Sequence, residues 1–133
     1  MQFAEALPPQ CPPNDAEDIP LVAVYRLVQT QQPSPKDFLS HAALGRPHGH
    51  GMSACAWASC SLVLDALVQI KRWPRMRDEY HFAVKLSVPK GAGLSKGKKD
   101  SNHINFWPFA SFDPISVIKE VITLPEVQDH GQG

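Results

Sequence analysis

The chain has few cysteines and no net charge. Its three cysteines, Cys11, Cys55 and Cys60, are too few and too odd in number for a disulfide framework. Thirteen Lys and Arg residues balance thirteen Asp and Glu residues, so no overall field attracts nucleic acid or a membrane surface. We therefore expect no nucleic-acid partner.

Long apolar runs are also absent. No stretch approaches the roughly 18 consecutive apolar residues that suggest a membrane span. The first ten residues, MQFAEALPPQ, lack the basic and apolar regions of a secretion signal. Together with the sparse cysteines, these absences predict a cytoplasmic protein without a membrane partner.

What remains is the composition of one globular domain. The 133 residues are 43% hydrophobic and 20% charged, enough for one buried core but not for two. Four prolines between positions 8 and 13 exclude regular helix there. We predict a disordered or extended Pro-rich tail at 1–19, a single domain at 20–127 and a frayed tail at 128–133.

Hydrophobic patterning predicts an α+β fold. Apolar residues occupy both faces of the stretch 21–29, which is typical of an interior strand. Further strands are predicted at 80–88, 103–109 and 117–124, and one within 54–64. We expect a small mixed or mainly antiparallel sheet with two to three short helices packed on it.

Two helix starts carry capping residues. Ser34 at N-cap, Pro35 at N1 and Asp37 at N3 predict a helix that ends at Gly45. Asp65 is the N-cap of a second predicted helix. The lysine-rich and glycine-rich stretch 90–101 has no apolar periodicity and is predicted to be a mobile loop.

Arg26 is the one charged residue on the otherwise apolar first strand. Because an unpaired buried guanidinium is too costly, it requires a carboxylate, a group of carbonyls or a ligand. Glu120, on the last predicted strand, is its expected partner. The pair either neutralises itself structurally or frames a polar pocket.

Other polar groups are candidate sites. His48, His50, Cys55 and Cys60 have zinc-binding side chains, but their spacing does not match a structural zinc site, and we predict no metal. Cys60 lies beside an apolar run, which favours core packing over nucleophilic catalysis. The lysines of 90–101 either track phosphates or form a solvated loop.

The runs VYRLV and DFLSHAALGRP resemble the front of small bacterial domains found in toxin and defence loci, over roughly residues 20–125. The element order also resembles ADP-ribosyltransferase-type, NAD-consuming domains. That resemblance implies catalytic roles for Arg26, Ser61 and Glu120, with NAD as a substrate rather than a bound cofactor. Ile118 stands where such domains carry a Glu or Gln, so a purely binding version also fits.

The first functional hypothesis is therefore a nucleotide-binding cleft that transfers ADP-ribose or hydrolyses NAD. Arg26 would hold the pyrophosphate and Ser61 the ribose, while Glu120 would stabilise positive charge at the sugar carbon. Tyr25, His103 and Asn105 complete the predicted ligand-binding residues. The alternative is a non-catalytic module of a toxin–immunity or phage-encoded system that binds a protein partner, and the sequence leaves open whether the chain is an enzyme.

Overall fold

A computed structural model describes residues 2–126; the predicted frayed tail at 128–133 lies outside them. The strands are β1 (Leu21–Val28), β2 (Cys60–Val63), β3 (Phe82–Val88), β4 (Gly93–Gly97), β5 (His103–Pro108) and β6 (Ile118–Thr123). They form one sheet in the order β4-β5-β2-β1-β3-β6, and every pairing is antiparallel. The predicted interior position of β1 is confirmed.

Short helices connect these strands. They are α1 (Ala54–Trp57), α2 (Ala66–Arg72) and α3 (Met76–Glu79), with 3-10 helices at Pro35–Phe38 and Ile115–Val117. The small α+β fold with a mainly antiparallel sheet is thus confirmed. Within residues 2–126, none of the helices has the length and apolar character required to span a membrane.

Alternation along the strands gives the sheet two apolar faces. One, the α2 face, buries Leu27, Val63 and Ala83 against Ala66 and Ile70. The other, the Phe38 face, includes Val24, Leu62, Val84, Leu86 and Phe106, and it packs against Phe38. Each face of the sheet therefore has its own surroundings, in which a separate site can form.

The helix predicted from Ser34 to Gly45 is wrong beyond its first turn. The capping box of Ser34 and Asp37 forms, but the 3-10 helix ends at Phe38 and Leu39 is extended. The carbonyls of Asp37 and Leu39, which a longer helix would use internally, accept hydrogen bonds from Arg26 instead. Gly45 does adopt the positive φ expected of a stop residue, +72°.

The strand predicted within 54–64 forms in its second half, whereas the first half is helical. Ser53 accepts a hydrogen bond from the backbone N–H of Ala56 and begins helix α1. Only Cys60–Val63 is a strand. The prediction for Asp65 is confirmed, because its side chain accepts from the backbone N–H groups of Leu67 and Val68.

The predicted mobile loop at 90–101 contains β4, an unexpected strand. Gly93 makes this strand possible, since a Cβ atom there would lie 2.4 Å from the carbonyl oxygen of Trp107. Ser95 exchanges two backbone hydrogen bonds with Glu17, at 2.9 and 2.8 Å. Pairing on both sides, rather than apolar periodicity, therefore defines β4.

The N-terminal segment at 2–19 packs as an extended arm along β4 and β5. Phe3 forms a bridge with Phe109, and Glu17 forms one with Ser95. A disulfide joins Cys11 of this arm to Cys55 of α1 across 44 positions of sequence. The expectation that the cysteines form no disulfide is wrong: two of the three pair, and Cys60 is left as a buried thiol.

Candidate ligand cleft

Arg26 binds three backbone carbonyls. Its Nε donates to Asp37 at 2.8 Å, Nη1 to Ser61 at 2.8 Å and Nη2 to Leu39 at 3.2 Å. The sequence allowed a carboxylate, a group of carbonyls or a ligand as the partner of Arg26, and in the structure the partner is a group of carbonyls. The guanidinium joins β1, β2 and the segment after β1, and three of its five N–H donors are committed to that structural task.

Glu120 is not the partner of Arg26. Cross-strand register aligns Arg26 with Val84 and Val84 with Val121, so these three share one face of the sheet. Glu120 lies on the other face, opposite Lys85, and its side chain is exposed. The predicted pairing is wrong, because β3 separates the two strands and the side chains alternate to opposite faces.

Ser61 and His103 are brought together on neighbouring strands. Ser61 is paired with Asn105 and Val63 with His103, which makes Ser61 and His103 diagonal neighbours on one face. The Ser61 Oγ and His103 Nε2 atoms are 2.5 Å apart. This contact could have been suspected from sequence only if the register of β2 and β5 had been known.

The surroundings of His103 favour its neutral form. Burial lowers its pKa below the ordinary 6.5, and the positive charge of Arg26 and the nearby His41 lower it further. A neutral imidazole with its proton on Nδ1 accepts the Ser61 hydroxyl hydrogen bond and can take up that proton. In the described part of the chain no carboxylate forms an ion pair with His103, so the two residues form a dyad rather than a triad.

A cleft of about 580 Å³ lies beside this dyad, between helix α1 and strands β4 and β5. It is lined by Pro13, Ser53, Cys55, Ala56, Lys96, Gly97, Lys98, Ser101, His103, Asn105 and Trp107. Its volume is within the range of roughly 300–1,000 Å³ that is usual for small-molecule sites. Lysine, hydroxyl, amide and imidazole groups converge on one concave surface.

The predicted site residues are divided between this cleft and other places. His103 and Asn105 line the cleft. Ser61 is not among the lining residues but is hydrogen-bonded to His103. Tyr25 instead packs against the apolar cluster of the α2 face. Arg26 and Glu120 are not among the lining residues.

The lysines of the cleft are held by β4 and its end. Lys96 forms a 2.9 Å ion pair with Asp15 of the arm. The hydrogen bond from Lys96 lowers the pKa of the Asp15 carboxyl below its usual value. Lys98 is exposed, and among residues 2–126 it has no salt-bridge partner.

Sequence reasoning missed the wall of the cleft opposite the strands. Helix α1 is fixed there by two contacts: the Cys11–Cys55 disulfide and a 3.0 Å hydrogen bond from Trp107 Nε1 to the Cys55 carbonyl. The signal in the sequence was the presence of Cys11 and Cys55, which no local pattern pairs with each other. An odd total of cysteines concealed it.

In the loop after Gly45, His48 makes a packing contact and His50 is exposed. The ring of His48 stacks on Trp57 at a centroid distance of 5.2 Å and an interplanar angle of 12°. Trp57 Nε1 donates to the Arg46 carbonyl, and Arg46 Nη1 donates to the Tyr80 hydroxyl at 3.1 Å, which raises the pKa of Arg46. Within residues 2–126, no three His, Cys, Asp or Glu side chains are grouped to hold a metal ion.

Comparisons of the chain with protein-family models, curated proteins and solved structures found no match. A functional conclusion therefore has to rest on the geometry of the cleft.

Replacing Arg26 is expected to destabilise the fold. In Arg26→Ala, three carbonyls lose their donor, and at about 1 kcal/mol for each bond the free energy of unfolding should fall by about 3 kcal/mol. Arg26→Lys should restore only part of this, because one ammonium group cannot match the fork geometry of a guanidinium. Urea unfolding measures the free energy of unfolding of both variants.

The matched control is Arg72→Ala, since Arg72 is exposed on α2. A loss of stability in Arg26→Ala no larger than in this control would contradict the structural role of Arg26.

Stability is expected to fall at acid pH through His103. Its folded pKa lies below 6.5, so on acidification the unfolded chain takes up its proton first. Stability is therefore retained above about pH 6.5 and lost progressively as the pH falls through the folded pKa. Urea unfolding of His103→Gln between about pH 7.5 and about pH 5 should show a weaker pH dependence than the native chain.

His50→Gln, at an exposed position, serves as the control. If His103→Gln and the native chain lost stability in parallel, the buried neutral imidazole would be refuted.

Proposed function

We propose that this protein binds a small phosphate-bearing, nucleotide-like ligand in the cleft between α1, β4 and β5. The observation that supports this most directly is the convergence of Lys96 and Lys98 with His103 and Asn105 on one concave surface of about 580 Å³. Ammonium groups provide charge-assisted hydrogen bonds to phosphate oxygens. Amide and hydroxyl groups provide the directional contacts that select a sugar or base.

The roles of the side chains follow from their positions. Lys98 has no salt-bridge partner among residues 2–126, whereas the ammonium group of Lys96 first has to exchange Asp15 for the phosphate. The side-chain amide of Asn105 lies 3.0 Å from the Ser59 hydroxyl, which holds it at the cleft and leaves hydrogen-bonding capacity for a ligand. His103 in its neutral form adds little charge and acts as a hydrogen-bonding group.

The proposed function is binding alone, without ADP-ribosyl transfer. That reaction needs a carboxylate at the sugar carbon, and Glu120 lies outside the cleft on β6. NAD remains a reasonable test ligand, because its ADP half is a phosphate-bearing nucleotide like the ligand proposed here. The Ser61–His103 dyad beside the cleft is arranged for proton transfer.

A cytoplasmic setting is not part of the proposal. The Cys11–Cys55 bridge removes one ground for that expectation, the absence of disulfides, and the compartment stays a prediction. The resemblance to toxin and defence domains remains a prediction.

A second candidate function, a non-catalytic module for a protein partner, is favoured by exposed apolar side chains around α2. Trp73 is 63% exposed, Leu64 51% and Leu67 44%, and large exposed aromatics often mark interaction surfaces. A partner of this kind would lose affinity in Trp73→Ser and be insensitive to charge reversal in the cleft.

Calorimetric titration with ADP tests the first function. The double variant Lys96→Glu/Lys98→Glu should bind ADP at least about tenfold more weakly, since that corresponds to a loss of only about 1.4 kcal/mol. The control Lys90→Glu/Lys119→Glu has the same change in net charge at exposed positions outside the cleft. Equal affinities in the two double variants, or no binding by the native chain, would refute the proposed site.

Asp15→Asn gives a result of the opposite sign. Removing this carboxylate frees Lys96 for the phosphate, so affinity for ADP should rise, most clearly at low ionic strength. Weaker binding in Asp15→Asn would mean that the ion pair builds the site instead of competing with the ligand.

A further inference from the structure

An apolar cavity of about 170 Å³ lies on the Phe38 face, on the other side of the sheet from the ligand cleft. Its floor consists of buried side chains of β2, β3 and β5, among them Leu62, Leu86 and Phe106, which are 1–3% exposed. Phe38 and Phe112 form part of its cover. The cavity therefore has the core of the sheet as its floor and connecting segments around it, and it is partly open to solvent where Ala4 and Pro35 are exposed.

The cavity is poorly suited to water. Glu5 is the one charged residue among its described lining, and both of its carboxylate oxygens are engaged by Ser40, at 2.5 Å to Oγ and 3.1 Å to the backbone N–H. Burial raises the pKa of the Cys60 thiol, which stays protonated and is a weak hydrogen-bonding group. A buried water molecule needs about two to four polar partners, and these walls do not provide them.

The size and lining match one aromatic ring. An apolar cavity of about 150 Å³ in another protein stays dry and takes up benzene, and the cavity here is slightly larger. Phe106 and Phe112 are already packed edge to face, with centroids 5.5 Å apart and an interplanar angle of 83°. A further ring in the cavity, beside these side chains, can make the same kind of contact.

We propose that this cavity is a binding site for a small, uncharged, monocyclic aromatic compound. The site is independent of the ligand cleft: it lies on the opposite face, and it recognises shape and apolar surface instead of charge. Side chains at its edge, such as Phe112 and Pro114, are partly exposed, whereas the floor is buried. A ligand can therefore enter from this edge while the sheet stays intact.

Methyl NMR of the native chain with toluene as the probe tests this proposal. Toluene should shift the methyl signals of Leu62, Leu86 and Val88, which line the cavity, and leave those of Leu27 and Val63 on the α2 face unchanged. Saturable shifts confined to the first group support the site. No shifts, or equal shifts on both faces, would overturn it.

A matched pair of variants provides a second test. Leu62→Phe places a ring in the cavity and should abolish the toluene shifts of Leu86 and Val88. Leu27→Phe makes the same substitution on the α2 face and should preserve them. Binding that survives Leu62→Phe in a folded protein would overturn the proposal, and if that variant does not fold, the titration of the native chain decides alone.

Discussion

The fold depends on one guanidinium group. Arg26 donates to the carbonyls of Asp37, Leu39 and Ser61, and by doing so it stops the first helix after one turn. Tyr25 pairs with Val63, and the same register would place Leu27 opposite Ser61. The Ser61 carbonyl, however, accepts a hydrogen bond from the side chain of Arg26. A leucine at this position would pack well but would leave three carbonyls without a donor.

The extended segment after that 3-10 helix then anchors the N-terminal arm. Ser40 binds the Glu5 carboxylate through its hydroxyl and its backbone N–H. The arm continues to Cys11, which is joined to α1, and to Asp15, which is paired with Lys96. One side of this arrangement covers the apolar cavity and the other closes the ligand cleft. Both proposed sites therefore depend on segments that have little regular structure of their own.

Sequence reasoning predicted what depends on short-range patterns. Strand periodicity identified β1, β3, β5 and β6, and the N-cap at Asp65 needed only the residues that follow it. It failed where long-range partners decide. Strand β4 exists because Gly93 and Ser95 find backbone partners in β5 and the arm. Likewise, Glu120 matched Arg26 by charge, whereas strand order and register, which no local pattern contains, place it on the opposite face.

An amide NMR titration of the ¹⁵N-labelled protein with ADP tests the location of the ligand site most directly. We expect the largest saturable shifts at Gly97, His103 and Asn105, which line the cleft. Arg26 and Glu120 should respond little, because one is bound to carbonyls and the other lies on β6. Shifts centred on Arg26 and Glu120, or none anywhere, would contradict the assignment of the cleft.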